Sequence, residues 1–131
     1  VRRLPDLGRS PTSFLACKNG KLCVGTESGV VNLYDDFQFQ KAVMNLTTTI
    51  DSLAINHDGS RLAMASKWAK DALRVVDLRH RTVFHNWPTS ATPLHYVHSL
   101  AFSEKYLAIG NDRGRVLLYK LNHHDEEDDD D

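Results

Sequence analysis

SLAINHDGSRLAMAS, running from Ser52 to Ser66, holds an apolar run, a short polar break and a second apolar run. The same order returns in SFLACKNGKLCVGT (Ser13 to Thr26) and in SLAFSEKYLAIGN (Ser99 to Asn111). Each copy leads into a further strand-like run: VVNLYD (Val30 to Asp35), LRVVD (Leu73 to Asp77) and RVLLYK (Arg115 to Lys120). The equivalent residues Leu22, Leu62 and Leu107 stand 40 and 45 positions apart, and Asp35, Asp77 and Lys120 stand 42 and 43 apart. A four-stranded unit recurring at about 40–45 residues is the period of WD-type β-propeller blades.

The alternation inside each unit carries the physical argument. In the second strand Leu22 and Val24, Leu62 and Met64, and Leu107 and Ile109 alternate with the smaller Cys23 and Gly25, Ala63 and Ala65, and Ala108 and Gly110. Side chains on a strand point to opposite faces in turn, so each sheet has one large face and one small face. Such faces suit stacked sheets, where small residues admit the bulk of the neighbouring blade. In the third strand Val31 and Leu33, Leu73 and Val75, and Val116 and Leu118 fall on one side. An immunoglobulin-like sandwich also has short strands at regular spacing, but its strands need not resemble one another.

Turn residues mark the unit boundaries. Asn19-Gly20 and Asp58-Gly59 are expected to make tight hairpins between first and second strands, with Glu104-Lys105 in the third unit. Ser28-Gly29 and Arg113-Gly114 mark the next turn in units one and three. Unit two has the longer SKWAKDA (Ser66 to Ala72) there, and its Trp68 either offers a contact site or folds over a blade edge. Fourth strands are expected at KAVMNL (Lys41 to Leu46) and TVFHNW (Thr82 to Trp87), and none is visible after unit three.

Three blades do not close a ring, since propellers use about 4–8. The chain also starts Val-Arg-Arg-Leu-Pro, without Met, and no apolar run approaches the roughly 20 residues of a membrane-spanning helix. The expected architecture is therefore all-β, a fragment holding about three C-terminal blades of a larger WD-type propeller. Residues 1–10 read as the end of a preceding blade and linker, 11–48, 49–95 and 96–122 as blades, the last without its outer strand, and 123–131 as a disordered acidic tail.

The 131 residues carry a net charge of −1, yet seven of the 17 acidic residues lie between Asp125 and Asp131. The rest of the chain, with 16 basic and ten acidic residues, is thus +6. Arg2, Arg3 and Arg9 precede unit one, and Arg79, His80 and Arg81 form a turn; these clusters either touch a nucleic-acid backbone or are ordinary solvated turns, and the second reading is favoured because no RNA-binding signature and no aromatic-interleaved basic stripe occurs. No GxSxG elbow, P-loop or dinucleotide-binding glycine pattern occurs, so no catalytic residue and no cofactor is assigned. Cys17 and Cys23 read as buried thiols, and His57, His95 and His98 as turn or core residues. His123 and His124 lack the fixed surroundings a metal site needs, so no metal is assigned. Asn45-Leu46-Thr47 matches a glycosylation sequon, which has no meaning without secretion.

Four segments resemble one family: GVVNLYD (Gly29 to Asp35); KAVMNL with TIDSL (Thr49 to Leu53); LAMASKWAKDALRVVDL (Leu62 to Leu78) with TVFHNWP (Thr82 to Pro88); and VHSLAFS (Val97 to Ser103) with LAIGNDRGRVLLYKLNHH (Leu107 to His124). They resemble the C-terminal part of the U-three small nucleolar RNA-associated protein 18 family, WD-repeat components of the small-subunit processome. VFHNWP and KAVMNL are its most specific strings, while the generic WD signature is eroded: Tyr34-Asp35, Val76-Asp77 and Tyr119-Lys120 occupy the Trp-Asp positions. Asp112 sits where the turn Asp of a WD blade is expected.

The resemblance implies a non-catalytic scaffold, not an enzyme, in the nucleus and nucleolus, needed for pre-rRNA processing and small-subunit rRNA maturation. It implies other processome proteins, the U-three ribonucleoprotein and pre-rRNA as partners, with no membrane and no small-molecule substrate. The alternative is a substrate receptor of a cullin-type ubiquitin ligase, because Val76-Asp77-Leu78-Arg79 is similar to the Trp-Asp-x-Arg docking box without its Trp.

Overall fold

The computed structural model describes residues 3–4, 10–89 and 91–120. Most of the segment read as a preceding blade, Arg2 and Arg9, the His123-His124 pair and the acidic tail lie outside the described residues.

Among the described residues eleven strands form three antiparallel sheets, each a simple meander. The first holds β1 (Thr12–Lys18), β2 (Lys21–Thr26), β3 (Val31–Asp35) and β4 (Gln38–Val43). The second holds β5 (Ser52–Ile55), β6 (Arg61–Ala65), β7 (Leu73–Asp77) and β8 (Thr82–Val83). In the third are β9 (Val97–Phe102), β10 (Tyr106–Asn111) and β11 (Val116–Lys120). The inner strands β1, β5 and β9 adjoin one another in series, and no helix occurs among the described residues. This is the all-β, blade-by-blade architecture expected from the repeat.

Turn chemistry fixes the registers. Lys18 pairs with Lys21 across Asn19 (φ 51°) and Gly20 (φ 79°), a two-residue hairpin whose residues both need the left-handed region. The second unit differs from the expected tight turn. Between Ile55 and Arg61 lies a five-residue connection in which Gly59 donates to the Asn56 carbonyl, the Asn56 amide donates to the Arg61 carbonyl and Asn56 Oδ1 accepts from the Arg61 amide. Asp58 closes it by accepting from the Ser60 amide and hydroxyl. The polar side chains add to the backbone bond from the Asn56 amide to the Arg61 carbonyl that closes the loop.

The core lies between the sheets. Cys23, Val31, Leu33 and Val43 of the first sheet meet Leu62, Met64 and Val76 of the second, with Leu46, Ile50 and Leu53 filling the seam. Ala63, Ala65, Leu73 and Val75 of the second sheet then meet Leu107 and Ile109 of the third, with Phe84, Leu94 and Val97. Thus the small positions of one second strand receive the large positions of the next. Gly25 shows how close the fit is, because a Cβ there would lie 2.6 Å from Ile50 Cγ2 and 2.9 Å from Ile50 Cβ. Leu62, Met64, Leu107 and Ile109 have no exposed surface, and each contributes roughly 1.5–3 kcal/mol by burial. On the third sheet the corresponding apolar face meets no neighbour among the described residues. Val116 and Leu118 are there 73% and 62% exposed.

The outer strands depart from expectation. β4 starts at Gln38, earlier than the KAVMNL string, and pairs along the whole of β3 from Val31↔Val43 to Asp35↔Gln38. By contrast β8 stops after Val83, with only Phe84 N donating to Val75 O beyond it. The predicted strand through Trp87 is therefore corrected to two residues. The cause is packing: Phe84 turns into the core, 5.6 Å from the Arg61 guanidinium, and Trp87 stacks at 4.9 Å on Tyr119 of the third sheet. Pro88 follows directly and has no amide with which to continue a ladder.

Candidate interaction surface on the upper rim

The connections after β2, β4, β6, β8 and β10 lie together on what we call the upper rim. Paired hydrogen bonds tie them down. Asp51, just before β5, accepts from the Lys67 amide at 3.0 and 3.2 Å, and Asp112, after β10, accepts from the Tyr96 amide while its own amide donates to Tyr96 O. The two carboxylates do the same task from opposite ends of the contact. Each pins the start of an inner strand to the turn after its second strand. Glu27 N donating to Pro11 O makes the backbone version of this link in the first sheet.

The SKWAKDA loop is built on this frame. Ser66 N donates to Ala72 O, Thr48 Oγ1 to Ser66 Oγ, and Trp68 N to Ser66 Oγ. At its far end Asp71 (φ 57°) donates to His95 O and accepts the His95 amide on Oδ1 at 3.0 Å. The loop ends are thus held, while the indole between them points outward. Trp68 is 65% exposed, with Lys67 Nζ 5.4 Å from its ring centroid and Lys70 also exposed. Of the two expectations for Trp68, a contact site or a cover for the blade edge, its exposure agrees with the first.

Beside the loop lies a cavity of about 320 Å³. Its apolar wall is Val83, Phe84, Pro88 and Leu94; its polar groups come from Asn45, Asp71, Arg74, His85 and Thr89. The cavity occupies the place where a full-length β8 would run. On that side of β7 both backbone groups of Leu73 are already satisfied, its amide by Asp71 O and its carbonyl by Arg74 Nη1 at 2.7 Å. Sequence reading did not bring these residues together. The available signal was the turn-rich stretch from Asn86 to Pro93, which argues against a continuing strand.

The remaining candidates take structural positions. On the lower rim Asp77 accepts from the Arg79 and His80 amides and from His80 Nδ1, the last at 2.8 Å, and Arg79 Nε lies 3.8 Å from it. Burial would raise the Asp77 carboxyl, but these hydrogen bonds outweigh it and hold it below the usual range. The box similar to a ligase-docking motif is thus folded on itself as a turn, which gives the receptor alternative no support. Lys41 Nζ caps Arg81 O on the same turn. Of the two thiols only Cys23 is buried, and burial pushes it up to about 12; Cys17 is exposed because it sits opposite Leu22, on the other face from Cys23. His57 and His98 are exposed turn and strand residues, and His95 is half-buried in the Asp71 contact. Among the described residues no three His, Cys, Asp or Glu side chains converge to hold a metal.

The two most specific sequence strings now have physical content. In KAVMNL, Val43 and Leu46 enter the first core, whereas Met44 is 69% exposed and Asn45 lines the cavity. In VFHNWP, Phe84 is buried and Trp87 packs against the second core, while His85 faces the cavity.

Comparison with known proteins places this architecture. The β-propeller domain of Myceliophteria thermophila Cps50 (Swd1) superimposes with a TM-score of 0.65 over 86% of this chain and 36% of that one; at 14% identity the likeness is one of fold. No family model matches the sequence. U3 small nucleolar RNA-associated protein 18 of Saccharomyces cerevisiae is 50% identical over 117 residues, 82% of this chain and 20% of that protein. The probable protein of that name in Schizosaccharomyces pombe is 43% identical over 90% of the chain, and the Homo sapiens homologue 38% over 86%. The chain spans 25% and 22% of the length of these last two. With propeller blades in the fold and identities of this size from yeast to human, the chain belongs to the U3 small nucleolar RNA-associated protein 18 family.

Proposed function

We propose that this chain is part of a non-catalytic scaffold in ribosome biogenesis, acting within the small-subunit processome in pre-rRNA processing and small-subunit rRNA maturation. The observation that carries the reading is the 50% identity to the Saccharomyces cerevisiae U3 small nucleolar RNA-associated protein 18 over 82% of the chain. The blades, taken as residues 11–48, 49–95 and 96–122, would serve as rigid supports whose rims display loops to several partners at once. Partners on this reading are other processome proteins, the U3 ribonucleoprotein and pre-rRNA, in the nucleolus. A cation-rich body suits phosphate-rich surroundings.

The test is co-purification. The tagged intact protein, expressed from its own locus, should enrich U3 RNA and pre-ribosomal particles and should concentrate in nucleoli. Recovery of neither RNA nor particle would overturn the proposal.

A further inference from the structure

We infer that the upper rim of the second sheet binds single-stranded RNA, with one base stacked on Trp68 and an adjoining nucleotide seated in the cavity lined by Arg74. The nature of the ligand rests on the ribosome-biogenesis reading above; the place rests on the geometry of this rim.

A base needs a flat π surface and its phosphates need cations close by. The loop supplies both in four residues. Trp68 lies outside both cores and is 65% exposed, while Lys67 and Lys70 flank it in sequence and are exposed. Two residues beyond the loop, Arg74 commits Nη1 to the Leu73 carbonyl. That bond fixes the guanidinium at the cavity while its other N–H groups can reach a phosphate. At about 320 Å³ the cavity is at the lower end of the size range of small-ligand pockets, far beyond the space of one water.

The acidic groups sort the ligand's orientation. Asp71 lines the cavity and repels phosphate, so the phosphate belongs on the Arg74 and lysine side. The amino edge of a base can then face Asp71 and Asn45. A peptide is the competing occupant, since a truncated outer strand invites strand addition. Here that mode is closed at Leu73, whose outward amide and carbonyl are already bonded to Asp71 O and Arg74 Nη1.

The intact protein is tested with a fluorescent single-stranded RNA of mixed sequence carrying 4-thiouridine, by anisotropy and by photo-crosslinking with peptide mapping. Trp68→Ala is expected to weaken binding about tenfold, within the range of loss of one base stack. Arg74→Ala should weaken it several-fold, and Lys67→Ala with Lys70→Ala should flatten the salt dependence, while Lys105→Ala on the lower rim should change nothing. Crosslinks should fall in the peptide spanning Trp68. Because Trp68 contributes to neither core, its variant should keep the wild-type thermal midpoint. Wild-type affinity in the Trp68→Ala protein, or crosslinks confined to other surfaces, would overturn the inference. So would loss of a protein neighbour from purified particles with RNA binding intact, since the rim would then be a protein dock. The two readings fail separately. Binding at Trp68 without U3 co-purification sinks the biogenesis proposal alone, and co-purification with an unresponsive rim sinks only this one.

Discussion

Gly25 and Gly110 hold the same place in their units, in the second strand on the small face, yet the same substitution should have opposite consequences at the two sites. At Gly25 an added Cβ would lie 2.6 Å from Ile50 Cγ2 and 2.9 Å from Ile50 Cβ. Ile50 is fully buried and β-branched, so it has little freedom to move. Overpacking of this kind costs about 1–3 kcal/mol, and the loss of glycine freedom in the unfolded chain returns about 0.4–1 kcal/mol. Gly25→Ala should therefore destabilise by up to about 2.5 kcal/mol, with the middle of the two ranges at about 1.3 kcal/mol. At Gly110 the nearest atom is Ser99 Oγ at 2.5 Å, the next is Ser99 Cβ at 3.8 Å, and Ser99 is exposed. A rotation of the hydroxyl clears the space, so Gly110→Ala should be neutral or stabilising by up to about 0.5 kcal/mol. Urea unfolding of the two variants beside the wild type measures the difference as a shift in midpoint at constant slope. Ile50→Leu, which moves the branch away from Cβ, should recover part of the Gly25→Ala loss. Equal shifts at the two glycines, or no recovery, would refute the interlocking of small and large faces.

Two further outcomes follow from the site chemistry. At pH 8 a maleimide should label one thiol per folded chain, at the exposed Cys17, because the buried Cys23 thiol is pushed up to about 12; Cys17→Ser should abolish labelling and unfolding should expose the second site. The Asp77 carboxyl is held low by the bonds from His80 and the Arg79 amide, so its contribution to stability is present above the unfolded carboxylate value near ~4 and is lost as pH falls through the lower folded value. Asp77→Asn should accordingly lower stability at pH 6 and flatten the acid limb of the stability curve, measured by thermal midpoints between pH 6 and pH 2. An unchanged acid limb would contradict the assignment.

Much of the fold could be read from the alternation of large and small residues, because a period of two assigns every strand residue to a face without reference to the rest of the chain. Leu62 and Met64 against Cys23 and Gly25, and Leu107 and Ile109 against Ala63 and Ala65, are consequences of that arithmetic. Strand ends were harder, since they depend on competition. Phe84 and Trp87 look like strand residues locally, but the seam with the third sheet draws them off the ladder. The exposure of Cys17 follows from its pairing opposite Leu22, the neighbour of Cys23 in β2, which puts the two thiols on opposite faces and which a reading of both as core thiols passed over. The rim was legible only at Trp68, because it lay in a loop that broke the repeat. Arg74, Asp71 and Asn45 join it through the truncation of an outer strand, a tertiary event with no local spelling.

The small-against-large seams give the array a direction, in the way the teeth of a zip fastener do. A unit set in backwards would press bulk on bulk at one seam and leave a void at the other. It follows that a change at a seam is never private to its own unit. The residue that registers a methyl group at Gly25 is Ile50, on the approach to the next sheet. A variant in one repeat will therefore be compensated, where it is compensated at all, by a residue at the seam with the next unit, Ile50 for Gly25 and Leu107 or Ile109 for Ala63 or Ala65.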